Sequence, residues 1–239
     1  MLIRRSTMLP LALAMLTPPR TVILLFARSA KAEAGEKRWT GNARKDRKLA
    51  RLLNRETLRV ARRTGLPVCH IDEAGQRGAH FGERLMNAVA ATLEAGFERL
   101  LVIGNDCPQL RTAHLLKAAR LLDTEEVVLG PANDGGLYLL GLRASAFEPA
   151  RWPYFSWQGA ALCAEWQRAR PDAHRLAALS DLDNAADLSR LGESQAKTSL
   201  TRLLLRLVET KRSYQPPVAP LRSFAPAANM LLRAPPLAA

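Results

Sequence analysis

The chain is short of the residues that staple, stack and coordinate. Its three cysteines, Cys69, Cys107 and Cys163, lie far apart and form no Cys-x-x-Cys pair. That argues against a disulfide scaffold or a structural zinc site and fits a reducing, cytoplasmic compartment. Cys107 reads as a small buried thiol. Aromatic residues make up 5% of the chain and no nucleic-acid-binding motif accompanies them, so no specific nucleic-acid partner is expected. The four histidines, His70, His80, His114 and His174, show no zinc-binding spacing. There is no Walker-A sequence, no Gly-x-Gly-x-x-Gly and no Gly-x-Ser-x-Gly. P-loop phosphoryl transfer, hydride transfer on a dinucleotide fold and triad hydrolysis all lose ground. The apolar run Met8–Leu16, set between Arg4-Arg5 and Pro18-Pro19, faintly resembles a signal peptide. It is too short to span a membrane, its end lacks a small-residue cleavage site, and no transmembrane segment is expected.

What is present is a core. Of 239 residues, 48% are hydrophobic, enough for one large α/β domain. Net charge is +13, from 35 Lys and Arg against 22 Asp and Glu, which favours anionic partners. Much of the excess lies in Arg44–Arg63 and near both ends, and it reads as a solvated helix face and basic tails. Residues 1–19 read as an extension, 20–212 as a single domain and 213–239 as a Pro- and Ala-rich tail.

The domain is organised around Leu100–Pro108, an apolar run that ends in Gly104, Asn105, Asp106, Cys107 and Pro108. It reads as a buried parallel strand presenting Asp106 at its carboxyl end, where open α/β sheets bind ligands. Other strands are expected at Thr21–Ala27, Leu66–Ile71, Val127–Gly130 and Leu137–Leu142. Helical spacing runs from Leu49 to a stop at Gly65, from Phe81 to Gly96, and over Ala113–Leu122 with Thr112 as its cap. Arg28–Asp46 reads as a polar stretch. The order β-α-β-α-β-α-β-β calls for a three-layer α/β/α architecture with a mostly parallel, mixed sheet. Further on, Trp152–Trp157 is a dense aromatic loop, either a satellite core or a wall for a flat ring. A helix is expected at Ala160–Arg168, an edge strand at Arg175–Leu179 and a helix at Ala185–Leu191. Leu200, Leu203, Leu204, Leu207 and Val208 mark a last amphipathic helix.

Three carboxylates, Asp106, Asp134 and Asp183, fall at strand ends or in the loops after them. Hard divalent cations take carboxylate oxygens and share their shell with water and substrate phosphates. A carboxylate closing an apolar strand is costly unless used or capped, which favours function for Asp106. For Asp134 a turn role is an equal reading. Arg28, Lys31, Lys37 and Arg38 follow the first strand, where cations can clamp phosphates. Gly82-Glu83-Arg84 opens a helix whose N–H groups offer an anion site, unless Glu83 simply serves the helix dipole.

Leu24–Arg28, Phe81–Leu85, Ile103–Leu110 and Leu129–Leu142 occur in this order. Together they resemble an uncharacterised GT-A-like transferase family, also called radical-SAM/selenodomain-associated transferases of type 1. That family shows Gly-x-Asp-x-Pro and Asp-Gly-Gly-x-Tyr-x-x-Gly-Leu at the last two places. The resemblance implies a GT-A fold of the nucleotide-diphospho-sugar transferase type, a nucleotide or nucleotide-sugar donor, and Mg²⁺ or Mn²⁺. It places Asp106 and Asp183 as metal ligands, the latter within Asp181-Leu182-Asp183-Asn184. Where relatives carry Pro-Gly…Lys-Thr-Arg-Leu, this chain has Ser29–Arg38, a departure in the loop that would handle phosphates. The expected function is a metal-dependent glycosyltransferase-like enzyme with a small-molecule acceptor. Asp106 and Asp134 are its catalytic candidates, and Arg28, Lys31, Lys37, Gly82, Glu83 and Arg84 its nucleotide contacts. The alternatives are a nucleotidyltransferase acting on a nucleoside triphosphate, and a non-catalytic nucleotide-binding protein on the same fold.

Overall fold

Strand β1 (Thr21–Phe26) is buried along its whole length, so it must be covered on both faces. In the computed structural model, which describes residues 21–193 and 199–209, it lies in a six-stranded sheet. The other strands are β2 (Val68–Ile71), β3 (Arg99–Ile103), β4 (Val127–Pro131), β5 (Leu137–Arg143) and β6 (His174–Arg175). The order across the sheet is β2-β1-β3-β5-β4-β6. Strand β1 runs parallel to β2 and β3, and β4 runs parallel to β6. Strand β5 is antiparallel to both β3 and β4, with Leu139 opposite Ile103. The exits of β1, β3 and β4 therefore share one edge with the entrance of β5.

Among the described residues the sheet is accompanied by two 3-10 segments, Ala144–Ala146 and Pro149–Tyr154, and by seven α-helices: α1 (Ala30–Glu36), α2 (Ala43–Arg62), α3 (Phe81–Glu94), α4 (Thr112–Leu121), α5 (Leu162–Ala169), α6 (Ala185–Glu193) and α7 (Ser199–Glu209). The strand period of two sorts the core. Val22, Leu24 and Phe26 pack with Leu85 and Val89 of α3 on one face, and Ile23 and Leu25 with Ala61, Leu115 and Ala118 of α2 and α4 on the other. Each fully buried Leu or Ile contributes about 1.5–3 kcal/mol. A third cluster joins Trp39 and Leu49, Leu52 and Leu53 of α2 to Leu182, Leu188 and Leu204. This is the three-layer α/β/α arrangement with a mostly parallel sheet.

Several local readings change. Arg28–Asp46 is not merely a polar stretch, because it contains α1, whose first turn is capped where the Ser29 hydroxyl accepts from the Ala32 N–H at 3.4 Å. Helix α2 begins at Ala43 because Asn42 accepts from the N–H groups of Arg44 and Lys45, both at 3.1 Å. Thr112 is the first helical residue of α4, not its cap. Its hydroxyl donates to the Val60 carbonyl at 3.0 Å, and His114 Nδ1 accepts from the Arg111 N–H at 3.2 Å. The second strand starts at Val68, after Pro67, which has no N–H to donate. The edge strand shrinks to His174–Arg175, and Leu179 meets Ala132 in an isolated bridge. The expected extension at 1–19 and tail at 213–239 lie outside the described residues. No helix among the described residues is long and apolar enough to cross a membrane.

Candidate active site

A cavity of about 360 Å³ opens at the sheet edge where β1, β3 and β4 end. Glycine and asparagine shape the β3 exit. A Cβ on Gly104 would lie 2.9 Å from Asp106 Oδ1, so the glycine leaves room for the carboxylate to fold back beside the backbone. Asn105 is buried and donates to the Asn54 amide oxygen, while Asn54 Nδ2 donates to the Arg28 carbonyl at 3.0 Å. Helix α2 thus ties the exits of β1 and β3 together. The Leu182 N–H donates to the Asp106 carbonyl at 2.8 Å, and Trp39 Nε1 donates to the Leu182 carbonyl at 2.9 Å. With Leu182 buried between them, Asp181 and Asp183 both line the cavity.

Lys37 sits at the centre of the acidic end. Its ammonium lies 2.6 Å from Asp183 Oδ1, 3.1 Å from Asp106 Oδ2 and 3.4 Å from Glu33 Oε1. Burial works against the charge, but Asp106, Glu33 and Asp183 outweigh it and hold Lys37 above the ordinary lysine range. Burial in turn pushes the Glu33 carboxyl up, against the pull of Lys37. Asp134, Asp181 and Asp183 each offer an oxygen within 4.8 Å of the others. Burial, then the charges of Asp134 and Asp183, push Asp181 up to about 7. Such a crowd of carboxylates is short of positive charge. Asp134 also serves its own turn, accepting from the Gly136 N–H at 2.8 Å.

Another part of the cavity wall is apolar, lined by Phe26, Phe81, Leu85, Val102, Leu140 and Trp157. Trp157 stacks on buried Trp152 at 4.9 Å and donates from Nε1 to the Trp152 carbonyl at 2.8 Å. Phe155 stacks on Trp166 at 4.4 Å. The aromatic loop is therefore both things expected of it: Trp152, Phe155 and Trp166 form a core beneath the loop, and Trp157 walls the cavity.

Of the residues singled out from sequence, Arg28, Lys37, Arg84, Asp106, Asp134 and Asp183 come together around this cavity. Arg28 pairs with Glu36 at 3.2 Å, and Arg84 donates to the Ala79 carbonyl at 3.1 Å. Lys31, Gly82 and Glu83 are not among the lining residues. Lys31 is exposed, Gly82 is covered by the Trp157 ring, and Glu83 accepts from the Ala79 N–H at 2.7 Å. Arg38 is exposed and does not line the cavity either. Two lining carboxylates went unread. Asp181 was signalled by its alternation with Asp183 about a buried leucine, and Glu33 by its four-residue spacing from Lys37. Cys107 is buried, and burial pushes its thiol up to about 12, far from a reactive thiolate.

Comparison with known proteins follows this geometry. Residues 43–156 match the model of a family described as "Uncharacterized protein conserved in bacteria (DUF2064)". Among solved structures, a Desulfovibrio desulfuricans G20 protein provisionally named a nucleotide-diphospho-sugar transferase superposes with a TM-score of 0.66. It is 24% identical, and the match covers 80% of this chain and 97% of that one, a likeness that shows the fold. A Mycobacterium sp. strain JC1 homologue of the Mycobacterium tuberculosis protein Rv0371c is 13% identical, with a TM-score of 0.45, covering 82% of this chain and all (100%) of that one. A CMP:2-keto-3-deoxy-manno-octonic acid synthetase complexed with CTP is 10% identical, with a TM-score of 0.42, covering 72% of this chain and 96% of that one. No curated protein matches. The resemblance to an uncharacterised GT-A-like family is borne out, and so is the fold it implies.

Proposed function

We propose that this chain, with the fold of an uncharacterised GT-A-like family, is a metal-dependent transferase using a nucleoside-diphosphate sugar as donor. One observation carries the reading. A single cavity joins an aromatic-walled apolar end to an end where Lys37 lies among Asp106, Asp183 and Glu33. A flat base suits the wall of Phe81 and Trp157. Arg28, Lys37 and Arg84 supply cations for the diphosphate. The all-oxygen donor set fits a hard divalent ion: Asp183 clusters with Asp134 and Asp181, and Asp106, which shares Lys37 with Asp183, is assigned as its fellow ligand. Bound there, Mg²⁺ or Mn²⁺ would neutralise charge on the departing diphosphate.

The chain's own residues do the rest. A diphosphate offers Lys37 a new partner, and releasing Asp106 and Asp183 from that ammonium makes both carboxylates available. Asp134, exposed and lining the cavity, is the residue we assign to accept a proton from an acceptor hydroxyl. Lys31, Gly82 and Glu83 then act on the nucleotide only from outside the lining. Three free cysteines fit a cytoplasmic enzyme.

The test is a thermal-shift panel of nucleotide sugars and nucleoside triphosphates, with and without Mg²⁺ or Mn²⁺, on the wild type and Asp106→Asn. A metal-dependent shift with a nucleotide sugar, lost in the variant, is the expected result. A triphosphate shift with pyrophosphate release on turnover would move the assignment to nucleotidyl transfer. Silence across the panel would leave a repurposed fold and overturn the enzyme reading.

A further inference from the structure

Helix α2 turns its buried residues, among them Leu49, Leu53, Thr57 and Ala61, to one side. Arg44, Lys48, Arg51, Arg55, Arg59 and Arg62 are all exposed, and none lines the cavity. Their spacings of four, three, four, four and three residues align them, at about 100° per residue, in one row along the outer side. At about 1.5 Å per residue the row runs roughly 27 Å. Among the described residues only Glu56 relieves it, pairing with Arg59 at 2.6 Å and approaching Arg55 at 3.9 Å. Arg44, Lys48, Arg51 and Arg62 form no ion pair among the described residues. Like charges four apart on a helix oppose each other. The row is therefore a local cost to the helix unless an anionic surface meets it.

We propose that this row docks the protein on an anionic phospholipid bilayer, independently of what the cavity does. Three features favour a bilayer over nucleic acid. The row is straight and lies on a convex helix face, which suits a flat field of phosphates. No aromatic side chain interrupts it, so unpaired bases find nothing to stack on. Helix α7 shares a core cluster with α2 and carries exposed Leu203 between exposed Arg202 and Arg206. An apolar side chain among cations is suited to a headgroup boundary.

The experiment is sedimentation of the full chain with phosphatidylcholine vesicles, alone or enriched in phosphatidylglycerol, at low and high salt. Binding is expected only to the anionic vesicles and should weaken as salt rises. Arg51→Glu with Arg55→Glu and Arg62→Glu should weaken it by at least about tenfold, while the same three changed to Lys should preserve it. Arg111→Glu with Lys117→Glu and Arg120→Glu makes the same charge change on exposed positions around α4 and should retain most of the binding. Thermal melts verify folding, and Gln at the three α2 positions replaces Glu if reversal unfolds the chain. Unchanged binding on row reversal, or equal loss in the α4 control, would overturn the proposal. So would no preference for anionic vesicles, or tighter row-dependent binding to duplex DNA or RNA at the same salt.

Discussion

The acidic and aromatic ends of the cavity come from different parts of the chain and are held by different forces. At the acidic end, four strand exits and loops converge on charges that do not balance. Lys37 is shared by three carboxylates, and Asp181 is pushed up to about 7. At the aromatic end, Trp152 stacks on Trp157 and Phe155 on Trp166, edge-to-face contacts join the two pairs, and Trp152 is 1% exposed. Packing of that kind stabilises whether or not a ligand is present. Crowded carboxylates do not, so the fold carries them at a cost that a bound cation and phosphate would remove. Stability and ligand binding should therefore separate cleanly along the cavity.

Truncation of the packed end is the largest effect. Trp152→Ala should cost about 3–5 kcal/mol, the range for removing a buried aromatic, read as a lower denaturation midpoint. If the folded fraction still shows a metal-dependent nucleotide shift, the two ends are independent. Gly135 is where they meet. Its φ is +94°, and a Cβ there would lie 1.9 Å from the Ala160 carbonyl oxygen, while its own carbonyl accepts from the Cys163 N–H at 3.0 Å. Gly135→Ala should cost about 2 kcal/mol or more and weaken ligand binding too, because it moves Asp134 and the start of α5 together. A variant that lost stability and kept full nucleotide affinity would show that this turn does not couple the ends.

Asp106→Asn is the converse. It removes one charge from a site where Lys37 keeps two other carboxylate partners. The melting temperature should move by no more than a few degrees. Metal-dependent nucleotide affinity should fall at least about tenfold, about 1.4 kcal/mol, as read by titration calorimetry. Equal affinity with and without the carboxylate would remove Asp106 from the metal site.

Much of this layout was legible in the chain. Leu100–Ile103 and Thr21–Phe26 are apolar without interruption because both faces of the sheet are covered, and that pattern survives any packing detail. Asp106 was legible because a charge ending such a run is expensive. Helix α1 was not, since a short helix burying little more than Glu33 has no apolar stripe to read. Asp181 was missed for a related reason. Its place is set by the tether of Leu182 to Asp106 and Trp39, contacts across 76 and 143 residues that local pattern does not carry. Thr112 failed as a cap because Val60, fifty-two residues earlier, takes its hydroxyl. Local chemistry wrote the strands and the strand-end charge; long-range hydrogen bonds decided which loop residues joined them.

The last comparison separates the two ends by pH. Without metal, burial and then the charges of Asp134 and Asp183 raise Asp181 from 3.8 to about 7. Between those values the folded chain holds a proton that the unfolded chain has released. Stability then falls with rising pH, because it rises only where the unfolded state binds more protons. The contribution is complete below the unfolded value and is lost as pH passes through about 7. Asp181→Asn cannot titrate. In the presence of a chelator its margin over the wild type should be small at about pH 5 and clearly larger at about pH 8. Mn²⁺ should narrow the gap by supplying the positive charge that the carboxylates lack. Trp157→Phe, at the aromatic end, should lower the melting temperature by the same amount at both pH values. If Asp181→Asn also shifted the melt equally at both, the strain at the acidic end would be packing rather than charge, and the contrast between the ends would fail.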